Sequence, residues 1–105
     1  MTVAGFLSGI KLTFSPQKAK GLSMTIHFEF TGKESAQATV VIANEKMAVL
    51  EGHQGQAGLS VSADAETWIR IVNKETSIFW PIVTGRLKVR GNPLRLRQFE
   101  RCVAT

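Results

Sequence analysis

Between Met24 and Phe30 every second residue is large and apolar: Met24, Ile26, Phe28 and Phe30 alternate with Thr25, His27 and Glu29. That period specifies a β-strand with one buried face. Thr31-Gly32-Lys33-Glu34-Ser35 then reads as a turn. Gln37 to Ala43, β-branched at Val40, Val41 and Ile42, reads as the partner strand. Ala43-Asn44-Glu45-Lys46 marks a second tight turn before a strand from Met47 to Leu50. A loop rich in glycine (Gly52, Gly55, Gly58) leads to a fourth strand at Leu59-Ser60-Val61-Ser62. The first half is therefore expected to be a β-meander.

On either side the period is helical. Val3 to Leu12 forms a short helix with Phe6, Leu7 and Ile10 on one side, and Ser15-Pro16 opens a turn that Gly21 ends. After the fourth strand, Ser62 or Asp64 caps a helix with Trp68, Ile71 and Val72 at helical spacing. Lys74 and Glu75 interrupt the pattern; Ile78, Phe79, Ile82 and Val83 resume it, with Pro81 acceptable only in a first turn or at a kink. Gly85 is placed to end that helix. Leu87 and Val89 alternate with Arg86, Lys88 and Arg90 as a fifth strand. Gly91-Asn92-Pro93 starts a terminal helix, with Asn92 as cap, Pro93 at the first position and Leu96, Phe99 and Val103 on its apolar side. The two helical segments before the fifth strand are long enough for a crossover between parallel strands.

A chain of 105 residues supports one domain, read as residues 1–105, with a thin core. No apolar run approaches the roughly 18 residues of a membrane span, and the N-terminus lacks the basic start and long apolar stretch of a signal peptide. A single cysteine, Cys102, excludes an intrachain disulfide and a cysteine-built metal site, which fits a reducing, cytoplasmic setting. The charge is uneven. Arg86, Lys88, Arg90, Arg95, Arg97 and Arg101 stand against Glu100 alone, so the formal net charge of +5 resides in residues 86–101. That asymmetry points to phosphates or an anionic surface, against the plainer reading of a solvated face.

The inventory argues against an enzyme. His27 falls on the polar side of a strand and His53 in the glycine-rich loop, neither at metal-ligand or catalytic spacing. Cys102 beside Arg101 is open to a lowered pKa, but no histidine stands near it in sequence. The loop Gly52-His53-Gln54-Gly55-Gln56 lacks the lysine and following helix of a phosphate loop, and no carboxylate pair stands out. No cofactor or metal is expected. A nucleic-acid module would use the basic residues, but Phe99 is the only aromatic among them, so no stacking platform is interleaved.

Three stretches together resemble the sterol carrier protein type 2 domain, a lipid-binding family. They are Phe14-Ser15-Pro16-Gln17-Lys18-Ala19-Lys20-Gly21-Leu22 running into a strand that ends Phe28-Glu29-Phe30-Thr31-Gly32; Ser62-Ala63-Asp64-Ala65-Glu66-Thr67-Trp68; and Val83-Thr84-Gly85-Arg86-Leu87-Lys88-Val89-Arg90-Gly91-Asn92, followed by Leu94-Arg95-Leu96-Arg97. The resemblance spans roughly residues 6 to 101, and its specificity lies in order and spacing. It implies an α+β fold: a five-stranded mixed, mostly antiparallel sheet with helices packed on one face over an apolar pocket. It also implies a non-catalytic carrier of fatty acid, acyl-CoA or a sterol-like lipid. The alternative is a C-terminal substrate-recruiting or dimerising domain fused to a larger enzyme.

In that frame the apolar residues of the covering helices are expected at the ligand: Trp68, Ile71, Phe79, Trp80, Val83, Leu94, Leu96 and Phe99. Arg95, Arg97 and Arg101 are expected to meet an anionic head group or membrane surface. Two departures from the family stand out. The chain ends Arg101-Cys102-Val103-Ala104-Thr105, without a Ser-Lys-Leu-type address, and its N-terminal helical region is short.

Overall fold

A computed structural model describes residues 2–77 and 79–103. Helix α1 (Val3–Thr13) starts at Thr2, whose hydroxyl oxygen accepts the Gly5 N–H at 3.0 Å. A turn through Gly21 leads to β1 (Met24–Thr31), β2 (Ala36–Ala43) and β3 (Lys46–Glu51). The β2–β3 turn holds Asn44 and Glu45 at φ 53° and 61°, the left-handed pair that a two-residue hairpin requires. Strand β4 (Leu59–Asp64), helices α2 (Ala65–Val72) and α3 (Phe79–Val83), strand β5 (Leu87–Arg90) and helix α4 (Pro93–Val103) complete the chain.

Only part of the expected meander is found. The sheet order is β3-β2-β1-β4-β5, so the fourth strand lies beyond β1 and not beside β3. It pairs parallel to β1, with Ile26 opposite Leu59 and Phe28 opposite Val61. The physical reason is the connection after β3. Residues 52–58 cross the polar face of the sheet and are fastened to it: Thr39 donates its hydroxyl to the Gly52 carbonyl at 2.7 Å and accepts the Gln54 N–H at 2.9 Å. His27 and His53 stack at 4.6 Å, and each Nε2 meets a backbone carbonyl, of Gln54 and Phe28 respectively.

The second correction concerns β5. It runs antiparallel to β4, with Ala63 opposite Leu87, so α2 and α3 form an out-and-back excursion and not a crossover between parallel strands. Asp64, not Ser62, caps α2; Ser62 stays in β4, paired with Lys88.

One face of the sheet is continuous hydrocarbon: Ile26, Phe28, Phe30, Val40, Ile42, Leu59, Val61, Ala63 and Leu87 are all buried. The helices meet it with Phe6, Ile10, Trp68, Ile71, Leu96, Phe99 and Cys102. Phe28 sits at the centre of an aromatic cluster, with ring centroids 5.4 Å from Trp68 and 5.7 Å from Phe30 and Phe99. The Ser15 N–H donates to the Cys102 carbonyl at 2.7 Å and ties the start of the α1–β1 connection to α4.

Candidate functional site

Helix α2 begins because the Asp64 carboxylate accepts both the Thr67 N–H (3.0 Å) and the Thr67 hydroxyl (2.6 Å). Burial pushes the Asp64 pKa up, but the two Thr67 bonds, its own N–H and the positive charge of Arg86 together hold it below 3.8. The helix ends with Lys74 at φ 60°, while the N–H groups of Lys74 and Glu75 return to the carbonyls of Ile71 and Arg70. Helix α3 ends the same way. Gly85 takes φ 79°, and the N–H groups of Gly85 and Arg86 return to Ile82 and Pro81. Pro81 lies in the first turn of α3, where its missing N–H costs nothing.

These two helix ends and the entry to β5 enclose a cleft of about 460 Å³. Thr67 and Arg70 of α2, Thr76 of the α2–α3 connection, Trp80 and Pro81 of α3, and Thr84 and Arg86 line it. Its size falls within the range of small-molecule sites. Both charged residues in the lining are arginines. Arg70 is bonded to Glu66 at 2.8 Å, one turn back on α2, with both side chains more than half exposed. A second cleft, of about 290 Å³, lies where β1, β2 and β4 meet α4, and Met24, Ile42, Leu59 and Arg95 are among its lining.

The residues expected at a ligand fall into three groups. Trp68, Ile71, Leu96 and Phe99 stand in the interior between helices and sheet, each at most 4% exposed. Among the described residues, none accepts the buried indole N–H of Trp68. Trp80 lines the larger cleft and is 66% exposed, while Val83 and Leu94 face outward. Ile78 and the side chain of Phe79 lie outside the described residues. Arg95, Arg97 and Arg101 are all exposed, but they do not form one cluster. Arg97 and Arg101 share a face with the exposed Leu94, at spacings of three, four and seven, whereas Arg95 borders the second cleft.

The lowered thiol pKa that the neighbouring Arg101 suggested for Cys102 is not found. Burial in the core pushes its thiol pKa up, with only partial relief from Lys18, so it is not an activated thiolate. Among the described residues no cluster of three His, Cys, Asp or Glu side chains is placed to hold a metal ion. No described helix is long and apolar enough to cross a membrane. Sequence reasoning missed Arg70 as a site residue, because its charge is balanced within its own helix. It counted Arg86 only as part of a basic stretch. The out-and-back path of α2 and α3 is what brings the two to one cleft.

The model of the SCP-2 sterol transfer family matches residues 11–104. Among solved structures, sterol carrier protein 2 from Yarrowia lipolytica in its apo form superposes with a TM-score of 0.78 at 15% identity, over 95% of this chain and 91% of that one. A ubiquinone synthesis protein, UbiJ-SCP2, superposes with a TM-score of 0.74 at 22% identity, over 95% and 90%. The stereoselective inverting sec-alkylsulfatase Pisa1 from Pseudomonas sp. matches with a TM-score of 0.85 at 19% identity, over 95% of this chain but 16% of the sulfatase. At these identities the likeness is one of fold. Among curated proteins none matches the sequence.

Proposed function

The chain belongs to the SCP-2 sterol transfer family, and from that premise we propose that it binds an apolar lipid and carries or presents it without performing chemistry on it. The ligand classes in this reading are fatty acid, acyl-CoA and sterol-like molecules. The family match over residues 11–104 is the observation that supports it most. The layer arrangement adds to it, since a sheet with one hydrocarbon face lies under short helices, the last of which before β5, α3, spans only five residues. Such a helix buries little and can be displaced at small cost. In this reading Trp80 and Val83 meet the ligand first. Trp68, Ile71, Leu96 and Phe99 form the apolar wall behind them, and Leu94 lies at the outer surface.

The outer face of α4 belongs to the same proposal. Leu94, Arg97 and Arg101 form a short interfacial stripe suited to an anionic membrane surface, and Arg95 serves a ligand entering the second cleft. The alternative reading, a recruiting or dimerising domain fused to an enzyme, gains support from the sulfatase, in which the matching part is a small share of a longer chain.

Native mass spectrometry after gentle purification tests the carrier reading, with retained lipid as the expected result. Thermal shift with dodecanoate, dodecanoyl-CoA and cholesterol is the second arm. Ligand at about 100 times its dissociation constant adds roughly 2.7 kcal/mol. A lipid-free mass together with no shift from any of the three sinks the proposal.

A further inference from the structure

We infer that the cleft between α2, α3 and β5 receives the oxyanion head of a monomeric amphiphile, with Arg70 and Arg86 on the head and Trp80 and Pro81 against its apolar body. This rests on the carrier reading and specifies the chemistry of the ligand and where its head lies.

Four observations converge. First, the cleft is cationic: the charged side chains in its lining are Arg70 and Arg86, and no carboxylate lines it. Two acids stand near it: Glu66 is bonded to Arg70 at 2.8 Å, and Asp64, which accepts the N–H and hydroxyl of Thr67, also feels the charge of Arg86. Second, the hydroxyl protons are committed. Thr67 donates to Asp64 at 2.6 Å, Thr84 donates back to the Trp80 carbonyl at 3.1 Å, and Thr76 donates at the longer distance of 3.5 Å to the Ser77 carbonyl. The donors left for a ligand are guanidinium N–H groups. Arg70 uses one Nη2 for Glu66, and the Arg86 side chain makes no hydrogen bond among the described residues. A site that offers guanidinium donors fits a group that only accepts, such as a carboxylate, sulfate or phosphate.

Third, Arg86 is held at its root. Its N–H is fixed to the Pro81 carbonyl at 2.9 Å, directly after the left-handed Gly85. Fourth, the cleft has an apolar wall that lacks a partner: the Trp80 indole is 66% exposed beside the buried Pro81. Guanidinium donors at one side and an uncovered indole at the other match a molecule with an anionic head and an apolar body.

Calorimetric titration of the full chain with decanoate, kept below its micelle-forming concentration, and with decanol tests this. Decanoate should bind, and the Arg70→Gln/Arg86→Gln double variant should hold it about tenfold or more weakly, the loss expected for charge-assisted bonds. Decanol affinity should be the same in both proteins. Arg70→Lys/Arg86→Lys should lose less. Circular dichroism confirms the fold of each variant, and Trp80→Ala, at an exposed position, should weaken both ligands. The inference is overturned if the glutamine variant keeps its decanoate affinity, if both ligands are lost equally by a folded variant, or if wild type prefers decanol. It is also overturned if the variant loses only binding to anionic vesicles, which would assign the arginines to a membrane surface. Decanol bound by both proteins leaves the carrier reading standing in each case. Failure of wild type to bind either ligand overturns the inference, while the carrier reading is decided by native mass spectrometry and the thermal-shift series.

Discussion

Glu34, in the turn between β1 and β2, caps a helix at the other end of the sequence gap: its carboxylate oxygens accept the Val3 N–H at 2.7 Å and the Ala4 N–H at 2.8 Å. Together with Thr2 it satisfies three of the free N–H groups at the start of α1. Glu34→Ala is expected to lower stability by about 1 kcal/mol, the usual worth of such a cap. For a domain of this size that is a fall in Tm of roughly 4–8 °C, readable by calorimetry. An unchanged Tm would mean that the Thr2 cap and the buried Val3, Phe6 and Ile10 hold α1 without it.

The two tryptophans should behave oppositely in fluorescence. Trp68 is 2% exposed and Trp80 is 66% exposed. Emission from Trp80→Phe is expected to be blue-shifted and protected from iodide, and emission from Trp68→Phe red-shifted and readily quenched. Trp68→Phe also removes a buried N–H that has no acceptor among the described residues, which offsets part of the lost packing. Urea unfolding should show it far milder than Phe28→Ala, where a loss of about 3–5 kcal/mol is expected.

Two carboxylates have opposite effects on acid stability. Asp64 has a lowered folded-state pKa, so its contribution is present above the unfolded value and is lost as pH falls below about 4. Burial raises the pKa of Glu100, against the partial opposition of Arg97 and Lys74, so its contribution declines as pH rises through the carboxylate range. Glu100→Gln should therefore raise Tm at pH 7 and give no gain below the carboxylate range. Asp64→Asn should lower Tm at pH 7 and lose that deficit in acid. Melting curves across pH 3–7 check both signs.

If the outer face of α4 docks on membranes, Arg97→Gln and Arg101→Gln should each weaken co-sedimentation with phosphatidylserine vesicles about fivefold, from roughly 1 kcal/mol per basic residue. Arg95→Gln should have little effect, because Arg95 borders the second cleft and not that stripe. Equal effects at all three positions would show diffuse attraction without a defined face.

Glu45 occupies a left-handed position that glycine adopts without strain. Glu45→Gly is expected to stabilise the β2–β3 hairpin by about 0.5–1 kcal/mol, the left-handed cost removed less the entropy glycine adds. Chemical denaturation should show an unchanged slope and a higher midpoint.

Elements set by local chemistry were legible in the sequence. The alternation at Ile26, Phe28 and Phe30, the Asn44-Glu45 turn, the Gly85 stop and the Asn92-Pro93 start all act over a few residues, and all recur in the structure. The place of β4 was not legible, because nothing in Leu59-Ser60-Val61-Ser62 distinguishes the free edge of β3 from that of β1. The choice is made by bonds that Thr39 and His27 make to the crossing loop and that His53, within the loop, makes to the Phe28 carbonyl, and these carry no periodic signal. The candidate cleft was hidden for a similar reason. Its arginines are sixteen positions apart, at Arg70 and Arg86, and meet only because α2 and α3 fold back on one another.

The parallel seam between β1 and β4 also orders events in time. The two hairpins β1–β2 and β2–β3 close over neighbouring residues, and β4 with β5 is joined through its own helical excursion. Pairing Ile26 with Leu59 must wait until the chain between them has been gathered, since distant contacts are reached later than near ones. Contact order therefore predicts that the seam forms after the hairpins, an order that pulsed hydrogen exchange at the amides of β1 and β4 would time. In the finished fold the same seam joins the hydrocarbon of β1 and β2 to that of β4 and β5 as one wall under the helices.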